Sequence, residues 1–546
     1  MSEDESTTDA FPAGIAGLPA VTPPEVVEVA DGGAFELRIA PVAKRLGEAD
    51  VRMLAYNGSI PGPTLRVRQG SEVLVDVVNE GDLEATVHWH GLRLDNASDG
   101  THETQDPIPV GGRFSCRVAF PDPGVYWYHP HIREDYGKEM GLYGNVVVVP
   151  EDPDYWSPVN RELVLTLDDI LLEGDRVAPF RRSESTHTAM GRFGDLMLVA
   201  GEPELRLSAR RDEVVRLYLT NTANTRVFNV GFAGARMKLV GGDSGRCERE
   251  EPVETVLLAP SERAVVEVLF DEPGRATLEH RTPGRTYRLA DVTVDEDPAA
   301  PSLRERFEAR RADPELAAER ARLAPVLAAE PDRTLAFVAE MDMGEAAEAA
   351  AGEAAYACPM HPEVVADQPG RCPECGMKLL PSSLVAQAGT GPHDHGGEVH
   401  GAHEGPGGIE WEDDMVEVNR MTTPANTRWK IVDRSTGAEN AAIDWRFRVG
   451  DRVKIRLVNE MDSDHPMHHP FHVHGAGRFL VLARDGVVEP NLVWSDTVLV
   501  TTGETVDILL DVTNPGRWMA HCHIAEHHES GMMFSFDVDP RPGEER

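Results

Sequence analysis

Alternating apolar and polar positions predict β-strands along most of this chain. The segments SEVLVDVVNE at 71–80, DEVVRLYLTN at 212–221 and DRVKIRLVNE at 451–460 share one alternating pattern, and each ends near an asparagine. Because successive side chains of a strand point to opposite faces, such alternation is typical of half-buried strands. Three similar strands at wide spacing predict three related β-domains.

Turns rich in glycine, proline and aspartate separate further short strands, which favours an all-β fold of sandwiches or barrels. We expect domain one at residues 30–152, domain two at 158–296 and domain three at 331–546. Residues 300–330 are rich in Ala, Leu, Arg and Glu and predict a helical linker. The acidic N-terminus, residues 1–29, is predicted to be disordered.

Composition and charge exclude two kinds of partner. A formal net charge of -40 argues against nucleic acid, because phosphate contacts need clustered Lys and Arg. No apolar run reaches the length of about twenty residues that a membrane span needs. The N-terminus lacks the basic and apolar pattern of an export signal. We therefore expect a cytoplasmic protein, or an exported one whose leader is not included in this chain.

A single cysteine lies among histidines and methionines in HCHIAEHHESGMM, residues 521–533. One thiolate with two imidazoles and a more distant thioether is the ligand set of a blue-copper electron-transfer site. Cys522, His527 and Met532 supply three of these ligands, and His469 supplies the second imidazole. The motif therefore predicts a copper site that accepts single electrons.

Four His-x-His pairs occupy matching positions of domains one and three. They are His88/His90, His129/His131, His472/His474 and His521/His523. Residues two apart on a strand share a face, so eight imidazoles on facing strands are suited to hold a cluster of copper ions between the domains. Domain two has Asn229 and Gly231 in place of one pair, and we expect it to bind no copper.

Four motifs carry a resemblance to a known family: HWHG at 88–91, YHPH at 128–131, HPFHVHG at 469–475 and HCHIAEHHESGMM at 521–533. In content and order they resemble the multicopper oxidases, laccase-like enzymes of three cupredoxin domains. The resemblance implies Greek-key cupredoxin sandwiches or barrels. It also implies one-electron oxidation of donors at a type 1 copper, coupled to reduction of dioxygen to water at a trinuclear cluster.

The resemblance assigns each ligand to a kind of copper. Type 1 copper would be held by His469, Cys522, His527 and Met532. Type 2 copper would be held by His88 and His472, and the type 3 pair by His90, His129, His131, His474, His521 and His523. A second His-Pro-x-His motif starts at His465, but x-His-Gly does not follow it as it does after His472. We therefore interpret His465 and His468 as loop residues.

Oxygen reduction consumes protons, so the chemistry needs an acid near the cluster. Asp99 resembles the carboxylate that the family places near type 2 copper, and the alternative interpretation is a turn residue. His528 stands where some relatives carry a carboxylate, and Glu526 or Glu529 is placed to substitute for it. With the electron-accepting Cys522, we take Asp99 and Glu526 as the candidate catalytic residues.

Residues 344–408 interrupt domain three. The core of this insertion, residues 356–381, contains two knuckles whose ligands suit a tetrahedral zinc or a soft copper ion. The four ligands are Cys358, His361, Cys372 and Cys375. The segment resembles the small heavy-metal-binding domain attached to copper efflux proteins, and a structural zinc knuckle is the alternative. Four further histidines form either a metal-capturing tether or a linker: His393, His395, His400 and His403.

The sequence leaves two classes of electron donor open, small aromatic molecules and metal ions. An axial methionine favours a moderate potential and easily oxidised donors, which are phenols, aromatic amines, or cuprous and ferrous ions. The insertion and the acidic surface favour a metal donor. A copper nitrite reductase is an alternative, but it leaves the four histidine pairs unexplained. A copper storage or electron-transfer protein is a second alternative, which oxygen consumption distinguishes from an oxidase.

Overall fold

The computed structural model describes residues 9–344, 355–388 and 407–543. Strands make up most of the elements, and the helices are short. The predicted all-β fold class is confirmed. Within the described ranges, no helix combines the length and apolar character needed to cross a bilayer.

The first β-region, residues 26–149, consists of two sheets. In pairing order the five-stranded sheet contains Val26–Val29, Thr64–Arg68, Gly144–Val149, Gly124–His129 and His88–His90. The four-stranded sheet contains Ala49–Tyr56, Ala34–Leu46, Glu72–Asn79 and Arg113–Ala119. Their apolar side chains, among them Leu37, Leu65 and Val75, form one buried core.

The second β-region, residues 161–298, repeats this arrangement. Its six-stranded sheet contains Leu196–Val199, Arg161–Ile170, Glu213–Asn221, Arg263–Phe270, Arg236–Gly242 and Gly245–Val253. Its five-stranded sheet contains Leu205–Arg211, Thr286–Pro298, Gly274–Arg281, Phe228–Ala233 and Thr255–Leu258. Leu172–Glu173 and Arg176–Val177 form a small hairpin beside them. A separate core contains Leu217, Val266 and Leu278.

The third β-region runs from residue 333 to 539, around the insertion. The seven strands of one sheet are Thr427–Asp433, Arg333–Met341, Arg452–Asn459, Thr505–Val512, Gly477–Arg484, Val487–Val488 and the side strand Trp494–Ser495. The other sheet contains Arg446–Arg448, Met533–Asp539, Gly516–Cys522, His469–Val473 and Thr497–Val500. In the insertion, Val365–Ala366, Tyr356–Ala357 and Leu380–Pro381 pair as three very short strands.

Helices lie at connections between these sheets. The α-helices are Glu134–Glu139, Arg304–Glu308, Pro314–Arg322, Ala324–Ala328, Ser382–Ala388, Val416–Arg420 and Ala525–Glu529. Single 3-10 turns cover Asn96–Ser98 and Asn440–Ala442. The helix Pro314–Arg322 begins where Asp313 accepts hydrogen bonds from two backbone amides and proline occupies the first turn, a strong start signal.

The N-terminus differs from its prediction. Val26–Val29 pairs in parallel with Thr64–Arg68, and the preceding residues form bridges such as Ala20 to Ala43. The prediction of disorder is therefore wrong for residues 9–29, because a strand edge was available to pair with. Residues 1–8 lie outside the described residues, as do the four histidines between 393 and 403. The domain boundaries stay a prediction.

Candidate metal centres

The Cys522 site, made of His469, Cys522, His527 and Met532, lies inside the third β-region. Cys522 Sγ is 3.4 Å from His469 Nδ1 and 3.7 Å from His527 Nδ1. Met532 is fully buried, and its backbone carbonyl accepts a hydrogen bond from the Cys522 amide at 3.1 Å. The structure therefore brings together one thiol and two imidazoles, with the thioether residue held beside them.

Strand pairing brings the first two of these residues together. His469–Val473 and Gly516–Cys522 are antiparallel neighbours, with Phe471 opposite Cys522. His527 arrives from the helix Ala525–Glu529, which follows Cys522 after a short turn. Burial raises the pKa of the Cys522 thiol, so the thiolate forms only when a cation binds to it.

The indole of Trp429 covers both imidazoles of the Cys522 site. Its ring is stacked on His527 at a centroid distance of 4.1 Å and lies edge-on to His469 at 4.7 Å. Its Nε1 donates to the Thr188 carbonyl at 2.7 Å. His527 Nε2 lies 3.3 Å from the Ala189 carbonyl, so the second β-region closes this side of the site.

The eight histidines of the His-x-His pairs form one buried group, here called the histidine cluster. On the edge strand His88–His90 the two imidazoles share a face, and His88 pairs with His129 of the neighbouring strand. In the third β-region His472 pairs with His521 in the same way. Strand pairing therefore places each His-x-His motif opposite another one on the neighbouring strand of the same sheet.

Imidazoles from the first and third β-regions contact one another in the cluster. The rings of His90 and His472 stack at 3.8 Å, and those of His88 and His474 lie 4.1 Å apart. Of the remaining pairs, His129 and His523 lie 5.1 Å apart and His131 and His521 lie 5.3 Å apart. The cluster therefore lies between the two β-regions and needs both of them.

Hydrogen bonds fix which ring nitrogens remain available. Nδ1 of four histidines donates to a backbone carbonyl: His88, His129, His472 and His521. Such a bond selects the tautomer whose Nε2 carries a lone pair. Among the described residues, Nε2 of His88, His129 and His472 has no hydrogen-bond partner although it is buried. A buried nitrogen without a partner costs free energy, so several such nitrogens close together are suited to bind metal ions.

Burial also keeps five imidazoles of the histidine cluster neutral. It lowers the pKa well below 6.5 for His90, His129, His131, His521 and His523. Since the neutral imidazole is the form that binds metal, the cluster is ready to act as a ligand set at neutral pH. Groups of three ligand atoms lie within 4.8 Å of one another, for example those of His88, His472 and His474.

Asp99 contacts the cluster directly. Its Oδ2 accepts from His474 Nδ1 at 2.9 Å, and its backbone carbonyl accepts from His88 Nδ1 at 2.7 Å. Burial alone would raise the pKa of Asp99, but the two imidazoles outweigh it and hold the pKa well below its ordinary value. The carboxylate is therefore ionised. Through its carboxylate and its backbone carbonyl, Asp99 orients His474 of the third β-region and His88 of the first.

A second buried carboxylate, Asp496, was not predicted from the sequence. It lies 2.9 Å from His90 Nε2 and 2.8 Å from Arg263 Nη1 of the second β-region. With Nε2 engaged by this contact, His90 Nδ1 has no hydrogen-bond partner within the part of the chain that the structure describes. No local spacing links Asp496 to a histidine motif, so sequence reasoning had no signal for it.

Glu134 was also missed, although its carboxylate lies beside His129 and His523 of the histidine cluster. Its Oε1 lies 3.5 Å from His129 Nδ1 and 3.3 Å from His523 Nδ1. Its Oε2 lies 3.4 Å from His528 Nδ1, and Lys138 Nζ is 3.1 Å from Oε1. The carboxylate is completely buried. Its position five residues after His129 was the available signal.

Glu526 faces the second β-region. Its carboxylate oxygens lie 3.2 Å from Asn224 Nδ2 and 3.3 Å from Thr225 Oγ1. Burial, and next the charge of Asp135, raises its pKa to about 7. This residue holds a proton near neutral pH, one position away from His527.

The insertion brings its four predicted ligands together. Cys358 Sγ lies 3.7 Å from Cys375 Sγ and 3.8 Å from His361 Nδ1, and Cys372 Sγ lies 3.6 Å from the same nitrogen. The four ligand atoms all lie within 4.8 Å of one another. Three sulfurs and one imidazole nitrogen at these distances fit a single tetrahedral ion.

Comparisons with known proteins agree with this arrangement. A family model described as "Multicopper oxidase" matches residues 41–153, and a second model with the same description matches residues 412–542. A "Heavy metal binding domain" model matches residues 355–382. The two oxidase matches contain the histidine pairs and the Cys522 site, and the third match contains the ligands of the insertion.

Whole-chain relatives are similar in length. The multicopper oxidase MmcO of Mycobacterium tuberculosis is 26% identical, over 96% of this chain and 91% of its own. Laccase-13 of Arabidopsis thaliana is 24% identical, over 93% of each chain. Among solved structures, a Campylobacter jejuni multicopper oxidase described as a metallo-oxidase matches with a TM-score of 0.64 and 19% identity, over 97% of this chain and 98% of its own.

The fold, the thiol-containing site and these matches define a copper-dependent oxidoreductase that uses oxygen as acceptor. The chain contains two multicopper oxidase domains, at residues 41–153 and 412–542, and a heavy metal binding domain within its third β-region.

Proposed function

We propose that this multicopper oxidase takes single electrons from a donor at the Cys522 site and uses them to reduce dioxygen to water at the histidine cluster. The observation that carries the proposal is the position of His521 and His523, which flank Cys522 and both lie in the cluster. Copper, when bound, supplies the one-electron redox chemistry that side chains lack. The chain then provides a covalent route of adjacent residues between the two sites.

Ligand assignment follows the resemblance. We assign type 1 copper to the Cys522 site, type 2 copper to His88 and His472, and the type 3 pair to the six other histidines of the cluster. The low pKa of the buried imidazoles and the unpaired Nε2 atoms support this assignment. Asp99 and Asp496 orient imidazoles of the cluster, as residues around metal ligands generally do.

Protons would reach the cluster along the helix Glu134–Glu139 and the helix Ala525–Glu529. Glu529 has a side chain that is 17% exposed, and its Oε1 lies 3.9 Å from His528 Nδ1. His528 contacts Glu134, which in turn contacts His523 and His129. We therefore propose Glu134 as the acid next to the cluster. We propose Glu526 as a second proton source, which acts from the side of the second β-region because its carboxylate accepts hydrogen bonds from Asn224 and Thr225.

We propose a metal ion, with Cu(I) as the best candidate, as the physiological donor. Cys522, His469 and His527 are at most 1% exposed, and Trp429 and Ala189 cover the two imidazoles. A phenol or an aromatic amine therefore cannot make direct contact with His469, Cys522 or His527. The insertion supplies soft thiolates that prefer Cu(I), and the net charge of -40 attracts cations.

Steady-state oxygen uptake tests both parts of the proposal. On copper-loaded protein we expect uptake with either donor and a higher kcat/KM for Cu(I) than for a phenol such as 2,6-dimethoxyphenol. A higher value for the phenol would contradict the metal donor but leave the oxidase intact. Absence of uptake with every donor would contradict the oxidase itself.

A further inference from the structure

The metal module, defined here as residues 355–388, is fixed to one loop of the third β-region. The Lys378 amide donates to the Asp464 carbonyl at 2.8 Å. The guanidinium of Arg371 donates to the Ser463 carbonyl and lies 3.1 Å from Asp462 Oδ1. The module therefore holds the docking loop, defined here as residues 461–467, from one side.

The docking loop leads directly into the Cys522 site. It ends two residues before His469, whose Nδ1 is 3.4 Å from Cys522 Sγ. Met377 and Leu380 of the module share one buried apolar cluster with Met467 of the loop and with Cys522. Cys375, a ligand of the module, packs against this cluster. The loop thus runs from the surface beside the module to the buried Cys522 site.

His465, in the middle of the docking loop, has an unusual environment. It is fully buried, and neither ring nitrogen has a hydrogen-bond partner among the described residues. Its ring lies 5.8 Å from Trp429, the indole that contacts both His469 and His527. Burying an imidazole without partners costs free energy, so a structural role does not account for a histidine here.

We propose that the module is the docking site of a cuprous donor ion, and that the docking loop, with His465 at its inner side, conducts the donor's electron to the Cys522 site. The inference deepens the proposed function and rests on it. Cu(I) held by Cys358, His361, Cys372 and Cys375 would lose one electron to become Cu(II), and the Cys522 site, when it holds an oxidised copper ion, would accept that electron. Since soft thiolates favour Cu(I) over Cu(II), the oxidised ion is the more weakly held of the two.

Anaerobic stopped-flow bleaching of the blue colour tests this route, since it follows reduction of the Cys522 site without oxygen turnover. Cu(I) is supplied as its acetonitrile complex at limiting concentration, and hydroquinone serves as a donor that needs no metal site. In Cys372→Ser/Cys375→Ser, bleaching by Cu(I) should slow at least about tenfold, as expected when a high effective concentration is lost. Bleaching by hydroquinone should be unchanged.

Two single variants separate electron transfer through the docking loop from binding of Cu(I) to the module. Arg371→Ala keeps all four ligands, so Cu(I) affinity measured against a competing chelator should stay the same while bleaching by Cu(I) slows. His465→Leu should slow bleaching by Cu(I) as well, and His102→Leu, at a side chain that is 45% exposed, is its matched control. Equal bleaching rates for wild type, Arg371→Ala and His465→Leu would overturn the route through the docking loop.

A zinc-filled module would overturn the docking site. That outcome consists of one zinc per module that Cu(I) does not displace, together with equal bleaching rates for wild type and the double cysteine variant. Failure of the proposed oxidase would look different, because a blue protein that bleaches with Cu(I) but takes up no oxygen would keep the docking site and lose the oxidase.

Discussion

The imidazole Nδ1 of His474 lies 2.9 Å from the Asp99 carboxylate, although 375 positions separate the two residues in the chain. Asp99 also accepts from His88 through its backbone carbonyl. One residue of the first β-region therefore orients an imidazole of each half of the histidine cluster. Asp99 thereby links the assembly of the two β-regions to the geometry of the proposed metal site.

Asp99→Asn should weaken copper binding at the histidine cluster. The amide keeps the size of the side chain but loses the charge that fixes the His474 tautomer, and such changes typically cost about 10–100-fold in metal affinity. The measurement is copper retained during titration with a chelator, while the blue absorption reports that the Cys522 site remains filled. Asp106→Asn, at an exposed position, is the control. Identical retention curves for the two variants would remove Asp99 from the site.

Glu134→Gln should slow the reaction with oxygen and leave electron entry unchanged. The substitution keeps the shape of the side chain but removes the acid next to His129 and His523, and general acids contribute about 10²–10⁴-fold. Rapid mixing of fully reduced protein with oxygen measures this step. Anaerobic bleaching of the same variant and the exposed Glu151→Gln variant are controls. Unchanged reoxidation would place the proton route elsewhere.

Trp429→Leu should admit phenols to the Cys522 site. Removing the indole from His527 opens space beside its imidazole, and we expect kcat/KM for phenols to rise at least about tenfold, equivalent to about 1.4 kcal/mol. The cavity costs about 3–5 kcal/mol of stability, so the milder Trp429→Phe accompanies it. If both variants stay blue and neither gains activity toward phenols, the indole is not what excludes them.

Asp496→Asn should destabilise the fold, because it removes the charge of one of the two carboxylates, Asp243 and Asp496, that face the buried Arg263. Removing one member of a buried ion pair costs about 3–5 kcal/mol, whereas losing the surface pair between Arg275 and Asp291 should cost much less. Guanidinium unfolding of apo-Asp496→Asn and apo-Asp291→Asn at neutral pH makes the comparison. Similar losses in the two variants would show that the Asp496 pair is not important for stability.

The same pair predicts a dependence on pH. Burial alone would raise the pKa of Asp496, but Arg263 outweighs it and holds the pKa below its ordinary value. Its contribution to the free energy of unfolding is therefore present above the unfolded carboxyl pKa of about 3.9 and is lost as the pH falls further. The difference in stability between wild type and Asp496→Asn should shrink in acid. A constant difference from pH 7 to pH 3 would contradict this assignment.

The sequence predicted the ligands better than their surroundings, for a physical reason. His88 and His90 share a face because strand geometry has a period of two, so spacing alone grouped them. Cys522, His527 and Met532 are also close in the chain. Which histidine pair lies opposite which depends on strand register. The motifs alone do not specify this register, and only their resemblance to a known family indicated how the pairs combine.

Trp429 and Asp496 had no such local signal, and the signal available for Glu134 was its position five residues after His129. Trp429, Glu134 and Asp496 come from separate elements, and only the packing of the β-regions brings them to the metal sites. His465 was interpreted as a loop residue because its motif was incomplete. It is fully buried and lies beside Trp429, a contact that no local pattern indicates.

Copper content, blue absorption and oxygen uptake of wild type and Cys522→Ser test most directly whether the Cys522 site feeds the histidine cluster. We predict about four copper ions, blue colour and uptake for wild type, and about one ion fewer, no blue colour and no uptake with any donor for Cys522→Ser. Uptake that persists in Cys522→Ser, or a blue wild type that takes up no oxygen, would contradict the account.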